Sequence, residues 1–160
     1  MGVKAGNVYA LGVQLGTSSF FASVGDTTNA KKGLGYALTT VQTLAQQGIA
    51  LNQGELNQAK ANPTQSKLEA LRGDYRNSLS TTAYLHVYDF GVGVGIAEGE
   101  SSVPGAAPHA IARDSMTNAA KLEKSLLQAG YGLVPVTDQH DVIQMLRQQW
   151  QQSFSNSPLG

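Results

Sequence analysis

Apolar residues recur at helical spacing through most of the chain. Leu34, Ala37, Leu38, Val41, Leu44 and Ala45 fall on one helical face, with Asp26, Thr27 or Thr28 placed to cap its first turn. A second stripe begins near Pro108 and carries Met116, Ala119, Ala120, Leu126 and Leu127. It stops at Gly130, a residue suited to the left-handed turn past a helix end. Leu68, Leu71, Tyr75 and Leu79 mark a third helix behind Asn62-Pro63, which offers a cap and a first-turn proline. Val142, Ile143, Leu146, Trp150 and Phe154 mark a fourth, capped by Thr137 or Asp138. Asp138 and Asp141 place negative charge at the positive end of its dipole. Residues 52–62 read as a linker with room for a short helical turn.

Two segments carry a mixed signal. Residues 84–96 include Val87, Val92, Val94 and Ile96, which suit a strand. Gly91, Gly95 and Gly99, however, fall four residues apart, as do Gly12 and Gly16, and Leu85, Tyr88, Val92 and Ile96 share a helical face. Glycines at that spacing leave a smooth strip on which a neighbouring helix approaches closely. Both segments are therefore predicted helical, at some cost in intrinsic helix stability.

The order of these segments repeats. Residues 9–16 align with 88–95 at an offset of 79, pairing Tyr9 with Tyr88, Gly12 with Gly91 and Gly16 with Gly95. Leu34, Ala37, Leu44, Gln46, Gly48 and Leu51 then meet Met116, Ala119, Leu126, Gln128, Gly130 and Leu133 at an offset of 82. Leu68, Leu71, Arg72, Tyr75, Ser78 and Leu79 meet Ile143, Leu146, Arg147, Trp150, Ser153 and Phe154 at an offset of 75. Length changes fall only between segments, and the matched positions are mostly apolar residues and glycines, so the repeat preserves packing. The predicted fold is all-α: a six-helix bundle of two tandem three-helix units, about residues 5–80 and 84–155. The units are related by approximate two-fold pseudo-symmetry within one compact domain, residues 1–160. Each unit alone would bury only a modest core, which calls for packing against its twin.

Composition narrows the functional classes. The chain is 41% hydrophobic but only 14% charged, and its 11 basic residues equal its 11 acidic ones. No basic stripe tracks a phosphate backbone, so nucleic-acid binding is not expected. Neutral polarity, as in Gln148-Gln149-Trp150-Gln151-Gln152, gives little colloidal protection and favours a protein partner or self-association. Without cysteine there are no disulfides, thiol nucleophiles or Cys-bound metals. No secretory signal pattern opens the chain. The uncharged stretch over residues 5–25 holds Asn7, Gln14, Thr17, Ser18, Ser19 and Ser23, too much polarity to span a membrane. A soluble protein is expected, and a periplasmic or exported setting after processing is compatible with these features.

Candidate chemistry is sparse, and no cofactor is expected. The three histidines, His86, His109 and His140, lie in the second unit and have no histidine counterparts in the first. With helices running up, down and up, His86 and His140 share one end of the bundle and His109 lies roughly 20 Å away. His86, Asp89, His140 and Asp141 form the metal-ligand candidate, since nitrogen and oxygen donors suit a divalent ion. Glu98 and Glu100 form the acid/base candidate of an enzyme reading. Gly91-Val92-Gly93-Val94-Gly95 departs from the dinucleotide fingerprint, because Ile96 and Glu98 occupy the third glycine positions. Tyr9, Tyr88, Tyr75 and Trp150 fall on repeated segments and are the candidate lining of a ligand pocket between the units. The expected function is a non-catalytic helical binding or assembly module acting through helix faces or that pocket. A small-molecule or metal-binding sensor comes second, and a small enzyme with acid/base carboxylates third.

Overall fold

The computed structural model describes residues 3–103, 106–136 and 142–159. Their regular structure is entirely helical: α1 (Val3–Ser23), α2 (Thr27–Gln46), α3 (Gln53–Ala61), α4 (Gln65–Leu79), α5 (Leu85–Ser101), α6 (Ala106–Gln128) and α7 (Ile143–Ser155). The described residues thus hold seven helices where six were expected, because the linker after Leu51 is itself a helix. Asn52 caps it by accepting from Glu55 N at 3.0 Å, and Leu56 and Ala59 bury its inner face.

Local chemistry explains the other boundaries. Asp26 Oδ1 accepts from Asn29 N at 3.1 Å and starts α2. The expected Asn62-Pro63 start of α4 is displaced by two residues. Asn62 instead ends α3, its N–H donating to Gln58 O at 3.3 Å, while Thr64 Oγ1 accepts from Lys67 N at 3.2 Å and becomes the cap. α7 begins after Val142, which makes no side-chain capping bond. Thr137, Asp138 and Asp141, the expected cap and dipole charges, lie outside the described residues. α2 and α6 end alike, on Gly48 at φ +90° and Gly130 at φ +105°. The following residues, Ile49 and Tyr131, donate back to Leu44 O (2.9 Å) and Leu126 O (3.1 Å), closing the same left-handed turn.

The centre of the molecule is the contact between α1 and α5. These helices run parallel, with Gly12 set against the backbone of Tyr88 to Val92, Gly16 against Val92 and Ile96, and Gly99 against the Phe20 ring. A methyl at Gly12 would lie 2.5 Å from the Tyr88 carbonyl oxygen, and one at Gly91 would strike that of Tyr9. Gly16 and Gly95 likewise face the carbonyls of Val92 and Val13. Four glycines therefore bring two backbones into direct contact, which decides the helix-or-strand ambiguity of these segments in favour of helix.

Around that axis α2 packs on α1, α6 on α5, and α7 and α4 close the sides. One apolar cluster draws on all seven helices. Its aromatic heart is Tyr9, Phe90, Trp150 and Phe154, with the Phe90 and Trp150 rings edge-to-face at 5.1 Å and the Tyr9 and Phe154 rings tilted by 31° at 5.0 Å. No described helix is long and apolar enough to cross a membrane.

Candidate functional site

The four aromatics expected to line a pocket are each no more than 1% exposed. Their polar atoms all donate to main-chain carbonyls. Tyr9 Oη reaches Arg147 O (3.1 Å), Tyr88 Oη reaches Arg72 O (3.0 Å), Tyr75 Oη reaches Asn52 O (2.7 Å) and Trp150 Nε1 reaches Val134 O (2.8 Å). Burial raises the pKa of all three phenols, so they stay neutral donors. These side chains tie α1, α4, α5 and α7 to one another and to loop backbone. Of the four, Tyr88 also borders a surface cavity of about 260 Å³, beside Arg72, Arg76 and Asp89.

Of the four metal-ligand candidates, His86 and Asp89 fall among the described residues. His86 is exposed in the first turn of α5. One turn on, Asp89 is engaged by Arg76, whose Nε donates to Oδ1 at 3.0 Å and Nη2 to Oδ2 at 2.9 Å. His140 and Asp141 lie outside the described residues, as does the side chain of His109. Among the described residues, no three His, Asp or Glu side chains gather as a metal site.

Two further cavities flank the α1/α5 axis, and they separate the two carboxylates read as an acid/base pair. Successive helical residues are rotated by 100°, so positions two apart point to different sides. Glu98 borders a cleft of about 300 Å³ between α1, α2, α5 and α7, with Phe21, Lys32, Tyr36 and Arg147 on its walls. There Arg147 Nε donates to Glu98 Oε2, both side chains remaining about one-quarter exposed. Burial raises the Glu98 pKa and the Arg147 charge works against it. Gln14, on the same wall, is fixed by Thr40 Oγ1, which donates to its Oε1 at 2.9 Å.

Glu100 borders a different cavity, of about 140 Å³, between α1, α4 and α5. Ser19 and Ser23 enter it from α1, and Gln65, Glu69 and Arg72 from α4. Three buried polar atoms here have no hydrogen-bond partner in the protein: Ser19 Oγ, Arg72 Nε and Glu100 Oε2. Glu100 is 5% exposed and Ser19 8%. Burial, and then the charge of Asp114, push the Glu100 pKa up to about 7.

Arg72, Arg147 and Ser19 were not singled out by sequence reasoning as site residues. The signal for them lay in the internal alignment, which pairs Arg72 with Arg147 and, at the offset of 79, Ser19 with Glu98. No protein-family model, curated protein or solved structure matches the chain.

Proposed function

We propose that the chain is a non-catalytic helical binding module, made of two related units that share three matched helices, with α3 additional to the first, and that it takes a small organic acid in the cleft beside Glu98 and Arg147. The cleft itself carries this reading. Its volume of about 300 Å³ meets the lower limit for small-molecule sites, and it lies where four helices converge. Val13, Phe21 and Tyr36 supply apolar wall, while Lys32 and Arg147 supply positive charge. Arg147 is held through Nε, so its Nη groups are oriented and available to a carboxylate.

Reciprocal contacts support the two-unit reading. Gly12 faces Tyr88 O and Gly91 faces Tyr9 O; Gly16 faces Val92 O and Gly95 faces Val13 O. Tyr9 donates to the Arg147 carbonyl and Tyr88 to that of Arg72. Tyr75 bonds Asn52 O just as Trp150 bonds Val134 O. Each pair is related by the offset of its own segments, and a two-fold relation generates such exchanges, because a contact from i to j implies one from j to i.

Ligand-observed NMR with benzoate and indole-3-acetate tests the binding site. At least one should give saturation-transfer signals with the wild-type chain, weakened about tenfold or more in Arg147→Met. Silence from both at millimolar concentration, or binding indifferent to Arg147→Met, would overturn the reading.

A further inference from the structure

We propose that the cavity between α1, α4 and α5 is a second ligand site, which takes a small zwitterion with its anionic end on Arg72 and Ser19 and its cationic end on Glu100. The site is separate from the Glu98–Arg147 cleft and stands or fails independently of it.

The first support is a comparison of the two arginines. Arg147 Nε donates to Glu98, whereas Arg72 Nε is buried without a partner. The residue aligned with Glu98 is Ser19, whose hydroxyl is also buried and unpartnered. Where the position of Glu98 is taken by a serine, a guanidinium N–H and a hydroxyl are therefore left without an acceptor. Buried polar groups are rarely left unpaired, because each has given up its bonds to water. A ligand carboxylate answers both groups at once.

The second support is the opposite charge in the same cavity. Glu100 Oε2 is buried and unpartnered, and Glu69 stands at the edge, where its Oε1 accepts from Gln65 Nε2 at 3.3 Å. A simple anion would meet repulsion from these carboxyl groups, and a simple cation would leave Arg72 and Ser19 unanswered. A molecule carrying both charges satisfies the two ends together. The volume of about 140 Å³ corresponds to roughly five waters of bulk liquid, which restricts the ligand to a few heavy atoms. Glycine and L-alanine are the simplest molecules of this class.

The test titrates the ¹⁵N-labelled full chain with glycine or L-alanine, following the Arg72 Nε–H and Ser19 amide resonances. Acetate and methylammonium, each carrying one of the two charges, serve as half-ligands. A saturable shift is expected with at least one zwitterion, with either half-ligand binding about tenfold or more weakly. Arg72→Gln should weaken zwitterion binding by about tenfold or more, and Ser19→Ala, the milder change, in the same direction. The proposal is overturned if neither zwitterion gives a saturable shift with the wild-type chain, a result that depends on no variant folding. It is equally overturned if acetate binds as tightly as glycine, or if Arg72→Gln leaves zwitterion affinity unchanged.

Discussion

Gly95→Ala and Gly73→Ala are the same chemical change in two helices, and they should move stability in opposite directions. Both replace glycine by the best helix former, a gain of about 1 kcal/mol in a free helix. At Gly73, on α4, a methyl meets nothing within 4 Å, so that gain survives. At Gly95 the methyl would strike the Val13 carbonyl oxygen and come within 2.9 Å of Thr17 N and Val13 C. All three obstacles are backbone, so no side-chain rotation relieves them. α1 and α5 must separate by about 1 Å, and a gap of that size forfeits a quarter to a half of each contact's dispersion energy. Overpacking of this kind costs about 1–3 kcal/mol, and the upper end applies because neither helix can yield locally. The net expectation is a loss of about 2 kcal/mol for Gly95→Ala against a gain of about 1 kcal/mol for Gly73→Ala. At this chain length that is roughly 4–8 °C downward against 2–4 °C upward in Tm. Urea titrations followed by circular dichroism measure both, read as midpoint shifts at constant slope. Equal or greater stability of Gly95→Ala relative to Gly73→Ala would refute the close-contact account of the glycine strip.

Three further outcomes follow from named interactions. Trp150→Phe leaves the Val134 carbonyl without its 2.8 Å bond and should lower stability by about 1–3 kcal/mol in urea; a loss under 0.5 kcal/mol would argue against that bond. Glu100 has a folded pKa of about 7, above its unfolded value, so the fold binds its proton more tightly. Its contribution is present at low pH and lost as pH rises from the ordinary carboxyl range through about 7. Glu100→Gln should thus gain about 1–3 kcal/mol relative to wild type between urea titrations at pH 5 and pH 8, and an unchanged difference would contradict the burial of its charge. The Arg76–Asp89 pair has its arginine about half exposed, so Asp89→Asn should cost no more than about 1 kcal/mol, shrinking further in high salt. A larger, salt-independent loss would mean that Asp89 has a further role in the fold.

The helices were legible because a helical face is recorded locally, in residues three and four positions apart. The stripe of Leu34, Ala37, Val41 and Leu44 is buried as its spacing predicts, and Gly48 and Gly130 close their helices as glycines do past a last turn. The α4 boundary was misplaced because Asn62 and Thr64 compete as ends of adjacent helices, and sequence spacing does not say which backbone N–H each will meet. The roles of the aromatics were equally hidden. Tyr9, Tyr75, Tyr88 and Trp150 have the composition of a pocket, yet each polar tip meets a carbonyl in the folded chain.

The sequence by itself determined the helical class and the order of the stripes, since both depend on near neighbours and on glycine spacing within one segment. The tertiary structure decided partnership. Glu98 meets Arg147 from 49 positions away, Asp89 meets Arg76, and Ser19, Arg72 and Glu100 border one cavity with buried atoms unpaired. Those relations depend on how closely and in what register helices cross, a geometry centred where four glycines let α1 and α5 touch, with α2, α4, α6 and α7 packed around them.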